Sequence, residues 1–419
     1  MTQKAILAGV NLYQHDFRSS MRELGNLAAA CKIEAVGEVT QNLHHVNNAH
    51  YMGGGKIQEI AALVDEKKAK TVIFNDELSA TQIRNLEEDL SCQVMDRTTL
   101  ILDIFARRAR TKEAQLQVEI ARLQYMLPRL VGSRESLGRQ GAGVGLANRG
   151  SGETKLELDR RKIKEKITAL NKDLEALVAH RQTQRKQRRR KNVPVVSLVG
   201  YTNAGKSTIM NAILELSDQT SSEGKQVFEK DMLFATLETS VRNIKLPDNK
   251  SFILTDTVGF VRNLPHHLIK AFRSTLEEVT EADLLIHAVD YSNPEYQQHI
   301  DVTNATLKEI GVKNIPMIYA FNKADLTDSE WPRIEGDSVY LSAEHKTGID
   351  ELIQQFRPHI FQDYVQCEML IPYDQGQFVS YFNESADVQA TSYEEEGTKL
   401  TMECRKADFD KYHSYVIGS

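Results

Sequence analysis

Short apolar runs alternate with stretches of helical spacing in residues 1–106. The runs are KAILAGV, IEAVGEV, TVIFND and CQVMD. Strands that alternate with helices predict βαβ units and a small parallel sheet. The stretch GGGKIQEI at residues 53–60 places glycines before a helix start, a position that can bind phosphate. It lacks the full spacing of a phosphate loop, so a simple turn before a helix is the favoured interpretation.

Residues 107–192 carry apolar positions at alternating steps of three and four, the spacing of two helices packed along each other. The positions are Leu116, Ile120, Leu123 and Leu127 in the first segment and Ile163, Ile167, Leu170, Leu174 and Leu177 in the second. Pro128 ends or kinks the first helix. The pattern predicts an antiparallel helical hairpin with a tip loop at residues 131–152 and a second helix that ends in the basic run RKQRRRKN.

Residues 193–358 return to alternating strands and helices, with the strand candidates VPVVSLVG, SFILTDTVG, ADLLIHAVD, IPMIYAFNK and SVYLSA. Nearly continuous apolar runs of this kind are typical of strands covered on both faces. Residues 359–419 contain VQCEMLIPY, QGQFVSYFNES and TKLTMECRK, which predict a small βαβ-type domain. The expected fold class is multi-domain α/β, with domains at 1–106, 107–192, 193–358 and 359–419.

Neither a membrane span nor a secretory segment is indicated. No apolar run approaches the roughly 18 residues that cross a bilayer, and the opening MTQKAILAGV is too short an apolar stretch for a signal peptide. The cysteines Cys31, Cys92, Cys367 and Cys404 lie far apart without a CxxC pair, which argues against zinc or a disulfide scaffold. We therefore expect a cytoplasmic protein with buried apolar thiols.

The net charge of −6 is unevenly distributed along the chain. The segment from Arg107 to Lys191 has 23 basic and 9 acidic residues, whereas the rest of the chain has 29 basic and 49 acidic residues. One concentrated basic segment in an acidic protein favours a polyanionic partner for that segment. A solvated helical face is the alternative.

A phosphate-binding loop is predicted at residues 200–208. The sequence GYTNAGKST matches G-x-x-x-x-G-K-[ST] between an apolar strand and a helix, the context that such a loop requires. Its glycines let backbone N–H groups converge on phosphate oxygens, Lys206 supplies charge to the β- and γ-phosphates, and the Ser207 hydroxyl can ligate Mg²⁺. The predicted nucleotide-binding residues of the loop are Gly200, Tyr201, Thr202, Asn203, Ala204, Gly205, Lys206, Ser207 and Thr208.

Two later segments are expected to respond to Mg²⁺ and the γ-phosphate. In FILTDTVGF, Asp256 ends a strand where its carboxylate can hold the magnesium shell, and the Gly259 N–H can sense the γ-phosphate. In LFATLETS, Thr236 is the preferred residue to close over Mg²⁺ and the γ-phosphate, and Thr239 is the second candidate. The alternative is that Thr236 is only a buried or helix-capping residue. GTP would order this loop, and hydrolysis would release it. The expected magnesium ligands are Ser207, Thr236 and Asp256, and the expected catalytic residues are Lys206, Thr236 and Gly259.

The base is expected to be guanine. In FNKAD, Asn322, Lys323 and Asp325 have the N-K-x-D arrangement, and the Asp325 carboxylate can accept hydrogen bonds from guanine N1–H and the N2 amino group. A site built on such bonds rejects the wrong base by roughly 10⁴ or more. In LSAEHKTG, we expect the backbone of Ser342 and Ala343 to be available to the guanine carbonyl. These motifs in this order predict a guanine-nucleotide fold.

Phenylalanine stands after D-x-x-G, where signalling GTPases commonly carry a water-orienting glutamine. Phe260 can neither hydrogen-bond to a water nor polarise it, so unassisted hydrolysis should be slow and a large partner is the natural source of the missing group. Asn203 resembles the asparagine through which some GTPases recruit K⁺ in place of an arginine finger. Hydrogen bonding within the loop is the alternative for Asn203.

Several long stretches belong together as a family signature. They are YMGGGKIQEI, NDELSATQIRNLEE, DRTTLILDIFARRARTKEAQLQVEIARLQYMLPRL, RGSGETKLELDRR, GYTNAGKST, LFATLET and DTVGFVRNLP. Together they resemble the HflX family of ribosome-associated GTPases over nearly the whole chain. NKAD and SAEHKTG, by contrast, occur in GTPases generally.

The resemblance implies an N-terminal α/β domain, a helical hairpin, a GTPase domain and a short C-terminal domain. It implies GTP or GDP with Mg²⁺ as the bound cofactors, and the large ribosomal subunit as the partner. It also implies ribosome-stimulated GTP hydrolysis and the splitting of stalled or stress-inactivated ribosomes. In that picture the hairpin tip reaches towards ribosomal RNA of the peptidyl-transferase region.

The loop GRQGAGVGLANRGSGETK at residues 138–155 therefore favours RNA contact over a phosphate cradle, because it lacks GKS. Glycine allows close backbone approach, and basic side chains can neutralise phosphates. The predicted RNA contacts are Arg134, Arg139, Arg149 and Lys155 at the tip and Arg188, Arg189 and Arg190 in the basic run, where a solvated linker is the alternative. Relatives tend to carry more glycine in this loop, a proline in place of Ser151 and a glutamine in place of Lys155.

The leading hypothesis is a monomeric, GTP-dependent ribosome-dissociation factor. A GTP-regulated RNA-binding or adaptor module without splitting activity, such as a regulator of a membrane protease with peripheral membrane association, is the main alternative. An ATP-driven RNA-remodelling enzyme that works through the N-terminal half is weakly supported, because no Walker motif is visible there.

Overall fold

The computed structural model describes residues 3–13, 16–131, 148–190, 193–217, 240–262, 268 and 278–418. The chain forms two compact units. Unit 1 comprises Met1–Arg185, Lys230–Glu238 and Val258–Leu276, and unit 2 comprises Lys186–Glu229, Thr239–Thr257 and Glu277–Ser419.

Unit 1 contains a four-stranded parallel sheet in the order β2-β1-β3-β4. Its elements are β1 (Gln3–Asn11), α1 (Phe17–Ala30), β2 (Ile33–Asn42), α2 (Gly54–Lys67), β3 (Thr71–Phe74), α3 (Ala80–Leu90), β4 (Gln93–Asp96) and α4 (Arg97–Arg108). All residues of β3 are buried, as expected for a central parallel strand. The predicted βαβ arrangement is confirmed, and GGGKIQEI begins α2 with Gly53 at its N-cap.

A buried polar network crosses this N-terminal sheet region. Arg97 is 2% exposed and donates to Asn75 Oδ1 at 3.1 Å. Its guanidinium also bonds the carboxylate of Glu23 on α1. Asn75 in turn bonds the Ser20 hydroxyl. A buried charge is tolerated only when it is paired and hydrogen-bonded, so these contacts hold α1 to the ends of β3 and β4.

The predicted hairpin helices are α5 (Lys112–Met126), followed by a 3-10 turn at Leu127–Val131, and α6 (Asn148–Arg190). Lys166 Nζ of α6 lies 2.6 Å from Glu119 Oε1 of α5. The apolar positions Leu116, Ile120 and Leu123 of α5 are buried, whereas Ile163, Ile167, Leu170, Leu174 and Leu177 of α6 are half-buried or exposed. No helix in the described ranges is both long and apolar enough to cross a membrane.

Helix α6 begins inside the segment predicted as the tip loop. The first turns of α6 contain Gly150 and Gly152, each of which costs a helix interior about 1 kcal/mol relative to alanine. Adding residues to the end of an existing helix is far easier than nucleating a new one, so a long helix extends through such positions.

Unit 2 contains a seven-stranded sheet in the order β10-β11-β9-β8-β5-β7-β6. Its elements are β5 (Val195–Gly200), α7 (Lys206–Ser217), β6 (Ser240–Lys245), β7 (Ser251–Asp256), β8 (Leu284–Asp290), α8 (Tyr296–Ile310), β9 (Met317–Asn322), β10 (Arg333–Glu335), β11 (Ser338–Tyr340) and α9 (Ile349–Ile360). The five predicted strands form its parallel centre. The antiparallel edge strands β6 and β10 were missed as elements, because SVRNIK is mostly polar and RIE is very short.

The C-terminal domain is a four-stranded antiparallel sheet in the order β13-β14-β12-β15. Its elements are β12 (Tyr364–Ile371), α10 (Gly376–Ser385), β13 (Asp387–Glu394), β14 (Gly397–Arg405), α11 (Lys406–Lys411) and β15 (Val416–Gly418). Strands β12 and β13 are parallel to each other with β14 between them, so the predicted βαβ unit is present in split form. The cysteines are free thiols; Cys92 is half-buried, and the other three are buried as predicted.

We predict that Glu23→Ala strongly weakens the N-terminal sheet, because it removes the carboxylate that is hydrogen-bonded to the buried Arg97 guanidinium. The free energy of opening of β1 and β3 should fall by about 3–5 kcal/mol, as measured by hydrogen exchange with mass spectrometry. Glu59→Ala is the matched control, since Glu59 pairs with Lys56 on the surface. It should change the free energy of opening by less than about 1 kcal/mol. Equal effects of the two substitutions would contradict this interpretation.

Candidate nucleotide-binding site

The phosphate loop joins β5 to α7 and depends on two glycines with left-handed backbone. The φ angles are +143° at Gly200 and +85° at Gly205. A Cβ on Gly200 would lie 2.2 Å from the Ala288 carbonyl oxygen, and one on Gly205 would lie 2.1 Å from Asn322 Nδ2. Only glycine therefore permits this close approach to β8 and β9. The loop leads into the N-terminus of α7, where backbone N–H groups can bind an anion.

Lys206, the first residue of α7, is buried beneath this loop. Its ammonium donates to the carbonyl oxygens of Gly200 at 3.2 Å and Tyr201 at 2.9 Å. Burial lowers the pKa of Lys206 to about 8, against the opposing effect of the Asp256 carboxylate. His287 on β8 is also buried, and burial together with the Lys206 charge lowers its pKa to about 3. Lys206 thus supplies the positive charge here, while His287, which carries no motif signal in the sequence, is neutral.

Ser207 and Asp256 lie together as expected for magnesium ligands. The Ser207 hydroxyl donates to Asp256 Oδ2 at 2.6 Å. Asp256 is at the carboxyl end of β7, in parallel register with Leu198 of β5, and the neighbouring Thr257 hydroxyl donates to the Leu198 carbonyl at 2.7 Å. A hydroxyl and a carboxylate are oxygen donors of the kind that Mg²⁺ prefers. The pair therefore fits the ion.

Asn322 links the phosphate loop to the predicted base-binding loop. Its side-chain amide donates to the Ala204 carbonyl oxygen at 3.1 Å. Its side-chain oxygen accepts from the Ala343 N–H at 2.9 Å. Asn322 is 3% exposed at the end of β9, so both bonds are made in a buried setting. The amide fixes the distance between the phosphate end and the base end of the site.

Asp325 lies in the 3-10 turn Ala324–Leu326 directly after β9. Lys323, which precedes the turn, has φ +62° and bonds Asp290 Oδ2 at 2.8 Å. His345 Nε2 is 3.7 Å from Asp325 Oδ2, and the His345 ring faces Trp331 at a centroid distance of 6.5 Å. Sequence reasoning missed Asp290, Trp331 and His345, because no spacing rule connects them to N-K-x-D.

The structure brings most of the predicted nucleotide-binding residues to one edge of the seven-stranded sheet, where the parallel strands end. These residues are Gly200 to Ser207, Asp256, Asn322, Lys323, Asp325, Ser342 and Ala343, with Thr208 one residue further along α7. Thr236 and its rival Thr239 lie outside the described residues, as do Arg134 and Arg139. Arg149, Lys155, Arg188, Arg189 and Arg190 are on α6, and their side chains are outside the described part of the chain.

The residues after the DTVG motif belong to unit 1. Gly259 is buried, and Phe260 and Val261 are each 2% exposed. Arg262 Nη1 donates to Asp16 Oδ2 at 3.2 Å. The Phe260 ring therefore packs in the interior in this conformation, where it offers neither a hydrogen bond nor access to water.

Family models match three consecutive parts of the chain. They are described as GTP-binding GTPase N-terminal over residues 18–106, GTP-binding GTPase Middle Region over residues 108–188, and 50S ribosome-binding GTPase over residues 195–323.

Curated relatives match nearly the whole chain. GTPase HflX of Caldanaerobacter subterraneus subsp. tengcongensis is 41% identical, with 99% of this chain and 94% of the relative covered. GTPase HflX of Escherichia coli K12 is 38% identical, with 94% and 92% covered. Among solved structures, a GTP-binding protein from Sulfolobus solfataricus in complex with GDP is 23% identical, with 86% of this chain and 99% of that chain covered and a TM-score of 0.45.

We predict that nucleotide binding takes up protons near pH 8. With a pKa of about 8, roughly half of the free molecules carry a neutral Lys206 at that pH. Nucleotide phosphates favour the ammonium and raise its pKa, so magnesium–GTP binding should take up as much as about half a proton at pH 8 and about a tenth at pH 7. Calorimetric titration in buffers of different ionisation enthalpy measures this uptake. Proton release on binding, or equal uptake at both pH values, would contradict the claim that burial lowers the pKa of Lys206 and that the nucleotide raises it.

We further predict that Asp325→Asn changes the base preference of the site from guanine to xanthine. The asparagine amide can donate to the C2 carbonyl of xanthine but cannot accept from both guanine N1–H and N2. GTP affinity should fall roughly 100-fold or more, and xanthosine triphosphate affinity should rise. Asp328→Asn, in the exposed loop after Leu326, is the control. Unchanged competition between the two nucleotides would show that Asp325 does not contact the base.

Proposed function

The chain belongs to the HflX family of GTPases, and on that basis we propose that it binds the large ribosomal subunit and splits stalled or stress-inactivated ribosomes. The observation that carries the proposal is the concentration of basic residues between Arg107 and Lys191 in the same chain as a GTPase domain. The description 50S ribosome-binding GTPase, given to the family model over residues 195–323, supports the choice of the large subunit.

In this proposal the site positions GTP for attack by water on the γ-phosphorus. The Gly200 to Thr208 loop surrounds the phosphates, and Lys206 places its ammonium on the β- and γ-phosphates. Ser207, Asp256 and Thr236 would hold Mg²⁺, which neutralises charge on the phosphate oxygens. The Gly259 N–H contacts the γ-phosphate, and Asp325 with the backbone of Ser342 and Ala343 selects guanine.

The chain requires help to position the attacking water. Phe260 replaces the usual glutamine and is buried, so hydrolysis by the free protein is slow. Docking on the ribosome supplies the missing group. Asn203, with its left-handed φ of +62° in the phosphate loop, is a candidate for recruiting K⁺ beside the phosphates.

The hairpin provides the affinity for RNA. Neutralised phosphates release counterions, so binding by the excess of basic residues between Arg107 and Lys191 is strong and depends on salt. Arg134, Arg139, Arg149 and Lys155 contact ribosomal RNA near the peptidyl-transferase region. Arg188, Arg189 and Arg190 contact RNA at the other end of α6. The hairpin then acts as the wedge that separates the subunits in a cytoplasmic, monomeric protein.

The second candidate function is a GTP-regulated RNA-binding or adaptor module without splitting activity. The observation that favours it is the buried Phe260, since a site with slow turnover can serve as a nucleotide-dependent switch. The two candidates differ in whether intact ribosomes are converted to subunits. Ribosome-independent turnover, or full activity of Lys206→Ala, would favour the second.

We predict that the protein with a non-hydrolysable GTP analogue converts intact ribosomes to subunits in sucrose gradients. A triple variant replaces Arg188, Arg189 and Arg190 by glutamine. The logarithm of its binding constant for the large subunit, plotted against the logarithm of the salt concentration, should have a slope smaller in magnitude by about 3. Splitting and ribosome-stimulated hydrolysis should both be weaker. The matched control replaces the exposed Lys4, Lys67 and Lys70 of the N-terminal region by glutamine. Unchanged gradients, or equal losses in both triple variants, would contradict the proposal.

A further inference from the structure

An exposed histidine lies beside the carboxylate that is expected to bind guanine, and both residues belong to unit 2. His345 Nε2 is 3.7 Å from Asp325 Oδ2, just beyond direct hydrogen-bonding distance. The side chain of His345 is 61% exposed, whereas that of Asp325 is 16% exposed. A small rotation of the imidazole is therefore enough to bring its N–H to the carboxylate.

The Asp325 carboxylate is held by little else in the part of the chain that the structure describes. The backbone of its 3-10 turn is fixed, since the Leu326 N–H donates to the Lys323 carbonyl oxygen at 3.1 Å. Among the described residues, however, no group donates a hydrogen bond to the carboxylate itself, and His345 is the one ionisable side chain within ion-pairing distance of it. His345 is therefore in position to set the rotation of the carboxylate.

The loop that carries His345 is tied to the frame of the site. The His345 N–H donates to Ser342 Oγ at 3.4 Å, and Ser342 and Thr347 exchange backbone hydrogen bonds at 3.0 and 3.1 Å. Within the same loop, the Ala343 N–H donates to Asn322 Oδ1 at 2.9 Å. Because Asn322 ends the strand that leads into the 3-10 turn, these bonds keep the histidine next to that turn.

The imidazole of His345 is faced by Trp331. The ring centroids are 6.5 Å apart and the ring planes differ by 22°, which is within the range of aromatic pairs. Trp331 is half-buried, and it is the single tryptophan of the sequence. Its ring favours imidazole orientations that keep Nε2 near Asp325, and its fluorescence reports on this end of the site.

We propose that His345 is a positioning residue for guanine selection, an inference that rests on the proposed contact between Asp325 and the base. The imidazole N–H holds the carboxylate in the orientation in which one oxygen accepts from guanine N1–H and the other from the 2-amino group. Each carboxylate oxygen has two lone pairs, so Oδ2 can accept from the imidazole and from the base together. The imidazole donates from Nε2 as the neutral Nε2–H tautomer or as the cation.

The test compares GDP with inosine diphosphate, whose base has the N1–H but lacks the 2-amino group, in the full-length protein at neutral pH. His345→Ala should lower GDP affinity about fivefold and inosine diphosphate affinity less than about twofold, because a carboxylate that turns freely loses the second hydrogen bond first. His345→Gln should restore the ratio of the two affinities, since the glutamine amide nitrogen reaches the position of Nε2. Competition against a fluorescent guanine nucleotide measures both affinities.

Lys346→Gln is the matched control, because Lys346 is the next residue of the loop and pairs with Glu215 of α7 instead. It should leave the ratio unchanged. Equal losses for both nucleotides in His345→Ala would reduce the contact to a merely structural one and overturn the proposal, as would a loss that His345→Gln does not restore. If Asp325→Asn leaves the base preference unchanged, the proposed contact with guanine fails. If Asp325→Asn changes the preference while His345→Ala has no effect, this inference alone fails.

Trp331 provides a second, spectroscopic measurement. Its emission should change when GDP binds and stay unchanged when pyrophosphate binds, because only GDP brings a base next to the ring pair of His345 and Trp331. Equal responses to the two ligands would place this ring pair away from the base and would also overturn the proposal.

Discussion

The phosphate loop can bind a nucleotide only because it passes against β8 and β9 without side chains in the way. At Gly200 and Gly205 any Cβ would overlap the Ala288 carbonyl or the Asn322 amide. This steric constraint brings the N-terminus of α7 to the edge where the parallel strands end. The same closeness lets Asn322 bond the loop on one side and Ala343 on the other, so that phosphate recognition and base recognition share one rigid frame.

Much of this frame was predictable from sequence, because the motif residues, such as the glycines of the phosphate loop, are those that its backbone conformation requires. The five central strands and the four N-terminal strands followed from apolar runs, and the order of the nucleotide motifs placed them at one edge. Edge strand β6 was not predictable as an element, since SVRNIK is mostly polar without regular alternation and its pairing is set by β7. The contacts of Asp290, His345 and Lys250 depend on tertiary proximity between distant segments, which leaves no periodic signal in the sequence.

Within the second unit, paired strands connect the nucleotide site to the C-terminal domain. Strand β7 carries Asp256 at the site and leads back to a turn that the C-terminal domain holds through Asn249 and Lys250. The Lys250 ammonium is buried there, 2.7 Å from Glu403 Oε2 and 3.8 Å from Asp248 Oδ2. A buried charge requires such partners, and removing one of them destabilises the contact. The segment from Arg107 to Lys191, by contrast, concentrates basic residues, a distribution that favours a polyanionic partner.

The most direct measurement is the equilibrium affinity for purified large ribosomal subunits, determined with a non-hydrolysable GTP analogue and with GDP from about 50 to 200 mM salt. If the bound nucleotide controls a basic hairpin that contacts RNA, the protein with the analogue should bind the subunit at least about tenfold more tightly than the protein with GDP. Its affinity for the subunit should also decrease steeply as the salt concentration rises. Equal affinity in both nucleotide states, with no dependence on salt, would contradict this coupling.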